Sequence, residues 1–299
     1  MKKLVKGLVL SVMALFATVS LASCNSGSKS PELLYGAEIS SVDISNITFV
    51  SEGKLTVGMS TDFAPMEFID TTKTGQEQFV GADVSLAYAM AEAFGLELEI
   101  KAMNFDVVLT ALDQGLIDVA ISGFSFTAER AASYLPSDCY YEEGDGGQVY
   151  IINAADKDTY KTLESLNNSN VKIAVQNGSL QEFLTAQQVP NCNMVKIANL
   201  DEAIVQLEAG TYNAVCCALS VAENKVILNS NLAIVEEALN DKGYEGNFAW
   251  VNKNNAALQQ ACNKVIKEVV DNGYFELWID EAEKLQLNLG DAAGELIPE

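Results

Sequence analysis

From Leu55 onward the chain alternates strand-like and helix-like segments, and it does so in two series with the same grammar. Leu55, Val57 and Met59 alternate with polar residues; Asp83 then precedes Val84, Ala87, Tyr88, Ala91 and Phe94 at helical spacing, stopped by Gly95. The apolar period changes from two to 3.6, which predicts a strand followed by a capped helix. Residues 97–101 alternate again, Asp106 starts a short helix ending at Gly115, and 117–122 form a mostly apolar strand. The second series predicts strands at 171–176, 194–197 and 213–219, with helices at 179–187 and 201–209 between them. Leu112-x-x-Gly115-x-x-Asp118 in the first series is echoed by Leu207-x-x-Gly210-x-x-Asn213 in the second. Each spells helix end, glycine cap and strand start. A last strand at 247–251 leads into a long amphipathic helix carrying Leu258, Ala261, Val265 and Val269, then a terminal helix at 274–283. The glycine-rich or acidic crossings 142–147 and 241–246 flank the second series and read as paired hinge strands. The expected fold class is α/β: two lobes, each a mixed sheet flanked by helices, with 51–144 plus 247–299 in lobe 1 and 148–243 in lobe 2.

The N-terminus places Lys2, Lys3 and Lys6 before an apolar run at 8–19 and the sequence Leu21-Ala22-Ser23-Cys24. That order is an export signal, too short to span a bilayer, and its end resembles the bacterial lipobox. Residues 1–23 are therefore expected to be removed as a signal peptide and Cys24 to be diacylated, anchoring the protein at the extracytoplasmic face of a membrane. The alternative is an unmodified thiol in an ordinary leader. Residues 24–50 mix Ser, Asn, Gly and scattered acids and read as a tether. The formal charge is −23, and loss of the three leader lysines takes it to −26, which repels phosphate backbones and argues against nucleic acid. With no histidine and no metal-ligand spacing among the cysteines, neither a metal nor a cofactor is expected. Cys216 and Cys217 sit in an apolar run and read as buried packing.

One stretch gathers donors. The strand ending at Ser122 hands over to Gly123, Ser125, Thr127 and Arg130. At the carboxyl edge of an open α/β sheet, backbone N–H groups, hydroxyls and a guanidinium can converge on a carboxylate. A surface ion pair between Arg130 and Glu129 is the competing reading.

These motifs, together with 53–58, Phe63-Ala-Pro65-Met-Glu-Phe68 and Gly81-Ala-Asp83-Val-Ser-Leu86, resemble the extracellular solute-binding proteins of polar amino-acid ABC importers. The resemblance implies a two-lobed, type II periplasmic-binding-protein-like fold, no catalysis, and an ABC permease as partner of a monomeric binding protein. It implies that Arg130 takes a ligand carboxylate in a forked pair, with Gly123 and Ser125 helping. Phe63 and Phe105 would be aromatic walls, Ser60 a polar first-strand position, and Gln176 and Ser179 the closing loop of the second lobe. One position departs from the family. An Asp usually follows the strand ending near Cys217 and accepts from the ligand's α-ammonium; here Ala218 stands there. Asp62, Glu67, Glu223 and Glu245 are candidates to replace it. The expected function is capture of an amino acid or related small carboxylate by lobe closure, with a sensing lipoprotein or a dehydratase-type enzyme on the same fold as alternatives.

Overall fold

The structure, a computed structural model, describes residues 31–142 and 147–295. The signal segment 1–23, Cys24 and most of the first crossing lie outside the described residues. The first series of elements is β1 (Lys54–Met59), β2 (Phe68–Ile69), β3 (Phe79–Val80), α1 (Ala82–Phe94), β4 (Glu97–Ala102), α2 (Phe105–Asp113), β5 (Val119–Ala120), α3 (Ala128–Ser133) and β6 (Tyr134–Tyr141). The second is β7 (Gln148–Asn153), α4 (Leu163–Leu166), β8 (Lys172–Gln176), α5 (Leu180–Gln188), β9 (Asn193–Ile197), α6 (Leu200–Glu208), β10 (Ala214–Ala218), α7 (Leu219–Leu228) and β11 (Leu232–Ile234). The chain then returns through β12 (Asn247–Asn252), α8 (Ala256–Asp271) and α9 (Tyr274–Glu295).

Two five-stranded mixed sheets result, ordered β4-β1-β5-β12-β6 and β11-β7-β10-β8-β9. In each, three parallel strands are followed by two antiparallel ones, so the echoed grammar of the sequence becomes an echoed topology. β1 is buried from Leu55 through Met59, as a central parallel strand covered on both faces must be. The faces of β10 are sorted likewise: Cys216 packs into one core cluster of the second sheet and Cys217 into the other. The described residues that flank the crossings pair with each other, Asn247 with Tyr141 on the first-sheet side and Gln148 with Leu239 on the second.

Residues 31–50 correct the tether expectation. Leu33, Leu34 and Ala37 are buried, Ser85 Oγ donates to the Leu33 carbonyl at 2.8 Å, and Trp278 Nε1 donates to that of Leu34 at 3.2 Å. Val42 N donates to the Ala93 carbonyl, and Phe49 lies 6.3 Å from the Phe94 ring. The segment, a 3-10 turn at Pro31–Leu34 followed by irregular chain, lies over α1, α8 and α9. Ser40 N donates to the Glu268 carboxylate and Val50 N to Asp118, so these backbone groups are met by side chains of the folded body and the segment shows neither the 3.6 nor the 2.0 period. The terminal helix is also longer than expected, reaching Glu295, whereas the strand expected at 117–122 is regular only at Val119–Ala120.

Gly81 sets the entry to α1. Its φ is +125°, and a Cβ there would lie 2.2 Å from the Met66 carbonyl oxygen, so only glycine fits. The first residues of α1 are thereby pressed against the 63–68 turn. Asp83 N donates to the same carbonyl at 2.9 Å.

Candidate functional site

The parallel neighbours β1 and β5 end side by side, with Gly58 opposite Ala120. The residues that follow them therefore meet at one sheet edge. Ser60 N donates to Ser122 Oγ at 3.0 Å, and the two hydroxyls are 3.0 Å apart. Ser122 Oγ in turn donates to Glu67 Oε1 at 2.5 Å. Next in sequence, Gly123 takes φ +55° and donates its N–H to Asp83 Oδ2 at 2.8 Å; Tyr140 OH donates to the same oxygen at 3.0 Å.

Glu67 and Asp83 are fully buried, and Glu67 Oε2 and Asp83 Oδ1 are the carboxyl oxygens left without a donor. A proton held by Glu67 and donated to Asp83 satisfies both atoms. Burial, then the neighbouring Asp83 charge, pushes Glu67 well above the usual carboxyl range. Burial raises Asp83 to about 6, opposed by the Gly123 N–H and the Tyr140 hydroxyl. Two buried carboxylates without a cation cannot both ionise at neutral pH. The pair therefore carries one negative charge, on Asp83, and that charge fixes the Gly123 N–H.

Arg130 is supplied by the first turn of α3, where Thr127 Oγ1 caps its N–H at 3.1 Å. The side chain is buried, with its guanidinium carbon 5.1 Å from the Phe124 ring centre and 5.8 Å from that of Phe105. Nη1 donates to the Ser125 carbonyl at 2.7 Å, and Nη2 to the Gly178 carbonyl of the second lobe at 2.9 Å. No carboxylate lies within ion-pair distance of it among the described residues. Burial lowers its pKa to about 10, so it stays cationic at neutral pH. The competing reading, an ion pair with Glu129, is not what the side chain does.

Three further contacts hold the lobes together. Asp62 accepts from Gln176 Nε2 at 3.2 Å and from the backbone N–H of Leu200, at the start of α6, at 2.6 Å. Asn177 Nδ2 donates to Asp106 at 2.7 Å. Burial, opposed by the Leu200 N–H, raises the Asp62 pKa.

A narrow cleft of about 20 Å³ lies between the lobes. Its first-lobe wall is Phe63, Phe105, Ser122, Gly123, Ser125 and Arg130; its second-lobe wall is Gln176, Leu180 and Gln181. Leu180 and Gln181 open α5, so the N-terminal end of that helix borders the space that Arg130 lines. A second cleft of about 40 Å³ shares Phe63, Gly123, Ser125 and Gln181 with the first and is also lined by Gln148, Ala218, Asp241 and Glu245.

Six of the eight residues named from sequence thus surround one space. Ser60 and Ser179 do not. Ser60 is buried one layer behind Ser122, and Ser179 caps α5, its hydroxyl accepting from Glu182 N at 3.1 Å, with its outer side in a neighbouring groove. Ser122 and Gln181 were missed, and so was Asp83 as more than a helix start. The resemblance contained Asp83 and Glu67 within its motifs, but nothing in their spacing showed that their carboxyls meet. Of the candidates to replace the missing Asp, Asp62 faces Gln176 and Leu200, Glu67 is closed off behind Ser122, and Glu223 is exposed on α7. Glu245 lines the cleft that Ala218 lines.

Comparison with known proteins gives the family and the fold. The sequence profile described as bacterial extracellular solute-binding proteins, family 3, matches residues 55–280. The arginine-binding extracellular protein ArtP of Bacillus subtilis is 28% identical over 273 residues, covering 90% of this chain and 93% of that protein. A crystal structure of an amino acid ABC transporter substrate-binding protein from Streptococcus pneumoniae, bound to L-arginine, superposes with a TM-score of 0.73 at 34% identity, covering 78% of this chain and 95% of that one. An ancestral amino acid-binding protein described as a precursor of cyclohexadienyl dehydratase superposes with a TM-score of 0.68 at 26% identity, covering 77% and 95%.

Proposed function

The chain belongs to family 3 of the bacterial extracellular solute-binding proteins, and on that footing we propose that it captures an amino acid or related small carboxylate between its lobes and delivers it to an ABC permease. The observation that carries the reading is Arg130: a buried guanidinium, without a carboxylate partner among the described residues, lining the cleft between the lobes. Such a cation is costly unless an anion joins it, and a ligand carboxylate supplies one. The body formed by 51–144 and 247–299, with 31–50 packed on it, binds first through Arg130, Gly123 and Ser125. The body formed by 148–243 then closes, bringing Gln176 and the N-terminus of α5 over the ligand. Closure by a ligand that touches both lobes is a population shift and needs no catalysis.

Several parts of the reading concern the chain's setting. Cys24 is lipidated and the protein is displayed, as a monomer, on the extracytoplasmic face. The seven residue steps from Cys24 to Pro31 reach at most about 25 Å, which keeps the face of α1, α8 and α9 near the membrane. Family members are substrate-binding transport proteins. A dehydratase would need a general acid or base at the substrate.

The test is calorimetry with the full chain, freed of bound solute by unfolding and refolding, against amino acids and small carboxylates. One or more should bind, and Arg130→Ala should weaken that binding more than about 100-fold, the order of two charge-assisted hydrogen bonds. Unchanged affinity in Arg130→Ala would refute the assignment, and turnover of a bound compound would move the reading to an enzyme.

A further inference from the structure

Arg130 stands on the wall of two spaces. Its Nη1 donates to the Ser125 carbonyl, and Ser125 lines the narrow cleft; its Nη2 donates to the Gly178 carbonyl, and Gly178 lines a separate groove between the lobes. Phe105 and Leu180 are shared by both, so the guanidinium sits where the two meet. Their sizes differ sharply. The cleft, about 20 Å³, has room for about one water, whereas the groove measures about 510 Å³, the size of a site for a small organic molecule.

The groove is also the more apolar of the two. The first lobe supplies Phe105, Leu109 and Tyr134, and the second supplies Leu180, Phe183 and Tyr244. Phe105 stacks on Phe124 with ring centres 4.5 Å apart, and Phe183 meets Tyr244 edge to face at 5.4 Å. On α5, Leu180 and Leu184 are buried, yet Phe183 is 42% exposed on the groove wall. Two acids line the groove as well, Asp106 and Glu129, but both are exposed and Asp106 accepts from Asn177. The buried charge is therefore the cation, and it has no carboxylate partner among the described residues. A buried guanidinium beside rings held on two facing walls suits a molecule with an anion at one end and a ring or alkyl body behind it.

Resting on the capture reading, we propose that the ligand is a carboxylate with an aromatic or bulky apolar body, its carboxylate on Arg130 and its body in this groove. The body touches α2 and Tyr134 on one lobe and α5 and Tyr244 on the other, so it favours closure through both. Phe183 is then a specificity-determining residue.

The test is calorimetry on the full chain with two pairs of probes, each differing by one phenyl ring: 3-phenylpropanoate against propanoate, and L-phenylalanine against L-alanine. Within each pair that binds, the ring-bearing member should bind at least about tenfold more tightly, the order expected for burying one ring. Phe183→Ser, a change at an exposed position, should reduce that ratio at least about threefold. Ser133→Trp, which fills the groove from α3, should weaken the ring-bearing members at least about tenfold and leave propanoate and L-alanine unchanged. Equal binding within the pairs, or binding confined to compounds without a ring or comparable apolar body, would overturn the proposal and leave capture standing. A ratio untouched by both variants would overturn it too, leaving Phe183 and Tyr244 as a face for a protein partner. No binding of any amino acid or carboxylate would overturn capture and the groove together.

Discussion

Glu67→Gln offers a direct test of the shared proton beneath the binding loop. A glutamine at 67 has the polarity of a protonated Glu67: its carbonyl accepts from Ser122, and its amide donates to Asp83. Its cost at pH 7 should therefore stay within about 1 kcal/mol, because both hydrogen bonds survive. Glu67→Ala strands the Ser122 hydroxyl and leaves a buried void, which should cost about 2–4 kcal/mol. Asp83 adds a pH signature. Its pKa rises from 3.8 to about 6 on folding, so the folded state holds the proton more tightly than the unfolded chain. Its contribution is fully present below the unfolded value and is lost as pH rises through about 6, a loss on the order of 3 kcal/mol. Urea unfolding of wild type, Glu67→Gln, Glu67→Ala and Asp83→Asn between pH 4 and 8 reads all of this. The difference between wild type and Asp83→Asn should change across that window and flatten above it. If Glu67→Gln cost as much as Glu67→Ala at pH 7, Glu67 would be ionised and the shared-proton account of the Gly123 N–H would be wrong.

Other outcomes follow from single contacts. Asp62→Ala removes two hydrogen bonds that exist only with the lobes together, so ligand affinity should drop about tenfold or more, and small-angle scattering should show a more open liganded form. A radius of gyration and affinity equal to wild type would mean that Asp62 does not hold the closed state. Gly81→Ala places a Cβ 2.2 Å from the Met66 carbonyl at φ +125° and should cost at least about 3 kcal/mol, measured by chemical unfolding. A chain begun at Ser51 loses Leu33, Leu34 and the acceptors of Ser85 and Trp278; it should melt roughly 5–10 °C below one begun at Pro31. Equal melting temperatures would restore the tether reading.

How much was legible in the sequence can be read from particular segments. The alternation at 55–59, the helical spacing from Val84 to Phe94 and the paired glycine caps are local patterns, and local backbone periods determine strands and helices without knowledge of neighbours. The donor-rich run from Ser122 to Arg130 was legible for the same reason: one stretch of chain leaves one sheet edge. Residues 31–50 were not legible, because their order comes from the helix faces they cover and leaves no period of its own. Ser60 was misplaced by one layer, since its position along β1 says nothing of Ser122 standing in front of it. The partners that set the site's electrostatics are far apart in the chain: Glu67 with Ser122, Asp83 with Gly123 and Tyr140, Asp62 with Leu200. Sequence by itself determined the two αβ series and the guanidinium at one strand end. Only tertiary packing decided which buried carboxyl keeps a proton, what holds the lobes shut and where an acid faces the cavity, because burial and through-space distance set those energies.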